Sequence, residues 1–295
     1  MALSQRTQGY IAALLSANTF GLIPLFTVPL MREGMGTDSI LVYRFAIAAV
    51  VVAVIMRYKG ISFRERGRHL RLIFALSILY FLCAHFLIGG YKAMPSGVAT
   101  VIHFLYPIMV ALLMLIFFGQ RLNRSGVAAL ILAFTGVVFL SGIVDESDVH
   151  VALFDIGLVA FSGFCYAVYI VVVNRSDASK IPMWRFTFYV MLFSAFFFLF
   201  TAIGKQELQI PPNLASWGLL TLLGIVPTVI SNILLIIAIP RIGSTTTSIM
   251  GVLEPLTAVL MGVLLLGENL SLSTTIGIGI ILLAVALQIT TSKEI

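Results

Sequence analysis

The stretches KAMPSGVATVIHFLYPIMVALLMLIFFGQRL (92–122) and PRIGSTTTSIMGVLEPLTAVLMGVLLLGENL (240–270) decide the fold. At a constant offset of 148 residues, Ser96 meets Ser244, Thr100 meets Ser248, Leu105 meets Leu253, Pro107 meets Pro255 and Gly119 meets Gly267. The same offset carries Gly9 onto Gly157, Asn18 onto Tyr166 and Gly136 onto Ala284. The chain therefore reads as one unit written twice, over 1–150 and 151–295. Each copy holds five apolar runs, and five is odd. The second copy then enters a membrane upside down relative to the first. Inverted repeats place a pseudo-two-fold axis in the membrane plane, with substrate sites near the midplane between the halves. Two inverted copies can exchange conformations, which favours a transporter over a receptor or an enzyme.

Composition supports the membrane reading. Of 295 residues, 60% are hydrophobic and 10% charged, against roughly 45–50% and 25% in soluble chains. Mean hydropathy is +1.09. A helix crossing a hydrocarbon core of about 30 Å needs roughly 20 apolar residues. Ten candidate spans follow, at about 9–30, 40–57, 72–94, 96–118, 126–143, 152–174, 182–203, 217–239, 244–266 and 273–290. The runs are continuous rather than alternating. They predict an all-α polytopic membrane protein of two inverted five-helix repeats rather than a barrel, since each helix satisfies its own backbone in lipid. The first run holds Asn18 and Pro24 and lacks a convincing cleavage site, so it reads as a helix and not a signal peptide. Disordered, disulfide-rich and soluble catalytic classes are excluded. Cys83 and Cys165 each lie inside an apolar run and read as packing residues.

Charge in the connections sets an expected orientation. Fourteen of the eighteen Lys and Arg residues, including Arg57, Arg64, Arg68, Arg175, Lys180, Arg185 and Lys293, fall on one side. Arg32, Lys92 and Lys205 fall on the other, and Arg44 lies inside the second span. This positive-inside bias puts both termini in the cytoplasm of a cell inner membrane. The basic loop RYKGISFRERGRHLR reads chiefly as a topology determinant resting on lipid headgroups. Its partner is the bilayer, and no nucleic-acid partner is expected.

The segments IGGYKAMPSGVATVIHFLYPIMVALLM and IIAIPRIGSTTTSIMGVLEPLTAVLMGVLLLGENLS resemble the two halves of EamA transporters of the drug/metabolite transporter superfamily. The turn of small residues, the following L-x-P or L-E-P and the closing G-E-x-L-S carry the resemblance. Arg44, in LVYRFAIAA, also sits where that family usually has an arginine. The resemblance implies a transporter of amino acids or other metabolites. Gln120 departs from the pattern, since the second copy has Glu268 there.

Polar side chains in hydrocarbon are costly and are the default functional candidates. Pro107 and Pro255 each remove a helix hydrogen bond near mid-span, as matched gating hinges or as static kinks. Glu254, about ten residues into its span, falls near the midplane with Tyr106 as its repeat mate. A desolvated carboxylate there suits proton coupling or a substrate ammonium, or serves as a structural hydrogen-bond partner. His85 and His103 are expected at similar depth, lining one cavity or packed. Asn18, Tyr166 and Asn232 occur at corresponding depths, and Tyr80 adds aromatic surface. Arg44 is expected in a structural ion pair, with Asp155 or Asp38 as partner. Small residues on spans 5 and 10 (Gly126, Ala129, Ala133, Gly277, Gly279) leave monomer and homodimer both open.

No metal, cofactor or catalytic residue is expected. The chain lacks G-x-x-x-x-G-K-[ST], H-E-x-x-H and G-x-S-x-G. The expected function is a secondary transporter, an exporter of amino acids or other small metabolites working by alternating access, with a passive channel or receptor-like scaffold as the alternative and an intramembrane enzyme weaker still.

Overall fold

The computed structural model describes residues 4–94, 96–140, 152–266 and 271–291. The 150/151 boundary between the copies, Glu268 with the rest of 267–270, and Lys293 lie outside the described residues. Every described element is helical: α1 (Gln5–Phe20), α2 (Ile23–Arg32), α3 (Thr37–Tyr58), α4 (Gly67–Ala93), α5 (Ser96–His103), α6 (Tyr106–Phe118) and α7 (Arg124–Leu140). Next come α8 (Leu153–Arg175), a 3₁₀ turn (Asp177–Lys180), α9 (Met183–Gly204), α10 (Leu214–Gly224), a π-turn (Ile225–Ile230), α11 (Ser231–Ile242), α12 (Ser244–Met250), α13 (Leu253–Leu266) and α14 (Leu272–Thr291). The helices occupy the apolar runs of the sequence. Among the described residues six stretches are long and apolar enough to cross a membrane, and three shorter apolar helices accompany them. Large side chains such as Phe117, Phe200 and Leu283 stand outward, 70%, 82% and 64% exposed. An exposed apolar belt of this kind marks an integral membrane protein.

Three of the breaks lie just ahead of a proline. Proline has no N–H to give and tolerates the first turn of a new helix. The chain tightens to three-residue hydrogen bonds ahead of Pro107 (Leu105 N to Ile102 O, 3.2 Å) and ahead of Pro255 (Val252 N to Ile249 O, 3.2 Å). Leu22 N does the same to Thr19 O at 3.3 Å, ahead of Pro24. Pro227 falls within the π-turn, where the Thr228 hydroxyl donates to Leu223 O at 2.7 Å. Gly119 closes α6 in the left-handed region at φ +63.

Packing pairs α1 with α11, α3 with α9, α4 with α8 and α7 with α14. In the last pair Gly136 admits Ile281 so closely that a Cβ would stand 2.7 Å from its Cγ1. Ala129, Ala133 and Ala284 are fully buried, and Gly277 is buried too. Most of the small residues expected to pack copies together are thus engaged within the chain, although Gly279 is exposed.

Hydrogen bonds tie the two ends of the bundle. At one, the 59–66 loop meets α9: Arg185 Nε donates to Ser62 O at 2.9 Å and the Tyr189 hydroxyl to Phe63 O at 2.7 Å. This end carries Arg68, Arg175 and Lys180 and is called the basic end below. At the far end, Gly36 N donates to Gln209 Oε1 at 2.7 Å and Gln209 N to Ser39 Oγ at 2.8 Å.

Candidate functional site

The kinks at Gly21, Leu105 and Val252 bring backbone turns of α1, α6 and α13 into the interior, where straight helices would present only side chains. Gly21 is needed for this approach, because a Cβ there would meet the Glu254 carbonyl oxygen and stand 2.8 Å from Thr257 Cβ. Between these turns lies a cavity lined by Phe20, Gly21, Tyr91, Thr100, His103 and Glu254 among others. Its volume is about 20 Å³, room for little more than one water.

The polar groups converge here. The Tyr106 hydroxyl donates to Glu254 Oε1 at 3.3 Å, and both residues are buried. They are the pair that the sequence aligns at the 148-residue offset. His103 Nδ1 lies 2.8 Å from Ser162 Oγ, and that hydroxyl already donates to Val159 O at 2.6 Å. Nδ1 therefore carries the proton, which leaves Nε2 as an acceptor. Among the described residues Nε2 has no partner. The cavity is thus walled by a carboxylate and an imidazole acceptor, an arrangement that takes a donor-rich group.

Aromatic rings extend the site. Tyr166 meets Tyr106 edge-on at 4.8 Å, lies beside His103 at 5.7 Å and stacks with Tyr169 at 6.3 Å. Tyr169 contacts Tyr80 at 5.2 Å. Asn232 Nδ2 donates to the Tyr169 oxygen at 3.4 Å, while its carbonyl accepts from the Thr187 hydroxyl at 3.2 Å. Tyr80, His103, Tyr106, Tyr166, Asn232 and Glu254 therefore form one contiguous cluster. Pro107 and Pro255 sit directly beside its central pair. Asn18 is exposed and touches none of these side chains among the described contacts, accepting from Thr257 on α13 at 2.7 Å and donating to Leu14 O at 2.8 Å.

His85 lies elsewhere. It stacks on Phe81 and approaches Asp38 at 3.1 Å without aligned hydrogen-bond geometry. Lys205 holds the other Asp38 oxygen at 2.7 Å, so Asp38 joins α3, α4 and the end of α9 at the far end. This commitment corrects the expected partners of Arg44. Among the described residues neither Arg44 nor Asp155 makes an ion pair. Arg44 is buried, its Nε donates to Thr228 Oγ1 at 2.8 Å and its guanidinium lies 5.2 Å from the Phe45 ring. Asp155 is half-buried at the start of α8.

Several structuring residues were not singled out from sequence: Thr228, Lys205, Glu65 and Arg185. Pro227 inside an apolar run was the available signal for the first. Glu65 Oε2 pairs with Arg185 at 2.9 Å and Oε1 meets His69 at 2.9 Å. Burial raises the Glu65 pKa, but hydrogen bonds from the Arg66 amide, Arg185 and His69 outweigh it and hold the carboxyl down at about 2.

Known proteins agree with this architecture. A crystal structure with 18% sequence identity matches with a TM-score of 0.82, covering 98% of this chain and all of its own; this likeness concerns the fold. An uncharacterized transporter of Archaeoglobus fulgidus is 30% identical over 243 residues, 82% of this chain and 84% of that protein. The threonine/homoserine exporter RhtA of Salmonella typhimurium is 26% identical over 246 residues, 80% of this chain and 76% of that protein. The model of the EamA-like transporter family matches twice, over residues 7–142 and 153–290. The chain belongs to the EamA-like transporter family, and it is a membrane transporter rather than an enzyme.

Proposed function

We propose that this protein is a secondary exporter of small amino-acid-like metabolites, with its substrate site at the Tyr106–Glu254 pair. The observation that carries this reading is the convergence of two buried acceptors, Glu254 and His103 Nε2, on one small cavity between kinked helices. A substrate ammonium offers three N–H donors to such a site. Tyr80, Tyr166 and Asn232 contact the remainder, and Asn18 serves at the rim. Similarity to an amino-acid exporter supports the substrate class and direction.

Ten spans in two inverted five-helix repeats, 1–150 and 151–295, supply the mechanism. The double family match supports the repeat. So do the pairings, because α1 on α11 corresponds at the same offset to α8 on α4. Both termini face the cytoplasm of the plasma membrane, with the basic end inward. A cavity of about 20 Å³ is too small to hold an amino acid, so Pro107 and Pro255 act as the hinges that open it alternately to either side. Entry of the substrate ammonium displaces Tyr106 from Glu254. Glu254 accepts a proton in the substrate-free limb, which couples transport to the proton gradient. Arg44 and Asp155 act structurally.

Proteoliposomes loaded with labelled threonine, homoserine and other neutral amino acids test this. Efflux driven by counterflow is expected, and Glu254→Gln is expected to lower it at least tenfold with its pH dependence lost. No movement of any amino acid overturns the substrate reading, and an unchanged pH dependence removes Glu254 from coupling.

A further inference from the structure

We propose that the cavity at the basic end, between the start of α4 and the end of α8, is a binding site for a phosphate group. It is separate from the central cavity and does not depend on what is carried there. Its volume is about 660 Å³, against about 20 Å³ at the centre. Three cationic side chains reach it from three segments: Arg68 in the first turn of α4, Arg175 at the end of α8 and Lys180 at the end of the 3₁₀ turn. Asn174 adds an amide to the wall.

The distribution of countercharge is what separates this cavity from a merely basic surface. Among the described residues Asp177 is the one carboxylate on the wall, and it is shared between Arg68 at 3.2 Å and Lys180 at 2.8 Å. Arg175 has no carboxylate among the described residues. Its Nη2 donates to Gln120 Oε1 at 2.7 Å and its guanidinium lies 4.9 Å from the Phe118 ring. The guanidinium is therefore held in one orientation by neutral partners, with its charge left over for a ligand. Gln120 occupies the position where the second copy of the repeat has Glu268. A glutamate at 120 would hold Arg175 equally well and cancel its charge, whereas the amide holds it and leaves the charge intact.

A basic loop that only sets membrane orientation requires neither an open groove of this size nor a neutral residue fixing one arginine. A guanidinium fixed by a side bond recognises phosphate oxygens well, since its planar fork is pre-organised. His69, also on the wall, is committed to Glu65 at 2.9 Å. The phosphate is carried either by a phospholipid headgroup at the membrane surface or by a soluble ion.

Native mass spectrometry of the full chain in neutral detergent, with phosphatidylglycerol or phosphatidylcholine added, tests the site, and excess inorganic phosphate serves as competitor. Preferred phosphatidylglycerol adducts that persist in excess phosphate identify the headgroup. Adducts displaced by phosphate, or phosphate binding without lipid preference, identify the soluble ion. In either case Gln120→Glu is expected to weaken binding about fivefold, the worth of roughly one basic residue near an anionic surface. Asp177→Asn is expected to strengthen it by a similar factor, a gain that misfolding cannot produce. Equal adducts of the two lipids with no phosphate binding overturn the proposal. So does binding that neither substitution changes.

Discussion

Gly9 and Gly157 occupy matched positions at the 148-residue offset, and their surroundings differ sharply. A Cβ on Gly9 falls 2.7 Å from Ile242 Cγ2 and 2.8 Å from Arg241 Cβ, where ordinary contact begins at 3.4 Å. A Cβ on Gly157 meets nothing within 4 Å. If the halves had one conformation, Ala93 and Met94 would stand against Gly157 as Arg241 and Ile242 stand against Gly9. Neither obstructing atom yields easily, since isoleucine is stiff at χ1 and Arg241 is held by Ile237 O at 2.8 Å and Gln5 at 3.2 Å. Overpacking of this kind costs about 1–3 kcal/mol, and the gain in helix propensity over glycine returns about 0.8–1 kcal/mol. Gly9→Ala should therefore destabilise by about 1 kcal/mol, lowering the melting temperature in detergent by about 2–4 °C. Gly157→Ala should leave it unchanged or slightly raised. Under alternating access the two ends exchange roles, so Gly157→Ala should slow transport while the melting temperature holds. Equal melting shifts in the two variants would refute the reasoning.

Ser16 and Ser231 join α1 to α11 through reciprocal bonds, each hydroxyl donating to the other's carbonyl at 2.8 and 3.0 Å. A double-mutant cycle to alanine should give a coupling of about 0.6–1.7 kcal/mol, the range of interhelical bonds in membranes, and a cycle reading zero removes the pair from the stability of the bundle. Glu65 has a folded pKa of about 2, below its ordinary value of 4.5. Its stabilisation is therefore complete above about pH 4.5 and lost as pH falls toward 2, and screening at the aqueous face limits it to about 1–2 kcal/mol. Melting curves from pH 6 to pH 3 should fall less steeply for Glu65→Gln than for the parent, and parallel curves would contradict this assignment. Thr228→Val leaves the buried Arg44 Nε without its acceptor and should cost about 1–3 kcal/mol, read as a lower melting temperature; Thr228→Ser should retain most of the stability.

The sequence made the helices legible because the apolar runs are long enough to force them, and Pro107 and Pro255 marked where two of them break, whereas the break ahead of Pro24 was not read. The offset marked Tyr106 and Glu254 as matched positions, but their contact at 3.3 Å is a finding of the structure, because an offset alone does not say which matched residues touch. Ion-pair partners were not legible in the same way. Asp38 and Arg44 are six residues apart on one helix, yet Asp38 is taken by Lys205 and His85 from other helices. Arg44 turns instead to a hydroxyl exposed by a π-turn, whose extra residue leaves no periodic trace in a uniformly apolar run. His85 and His103 were expected to line one cavity, but His85 meets Asp38 while His103 meets Ser162, and periodicity in an all-apolar helix does not tell such environments apart.

The Tyr106–Glu254 contact has a further consequence if the two halves descend from a five-helix protein that once paired with its own copy. A position on the axis would then have stood opposite itself. Two glutamates at hydrogen-bond distance cannot both be ionised and must share a proton. Two tyrosines would bring no charge to the site at all. Opposing a phenol donor to a carboxylate acceptor requires that the two sides be encoded separately, which joining the copies in one chain allows. The joined chain can keep near-symmetric helices for movement while the residues at its centre diverge for binding.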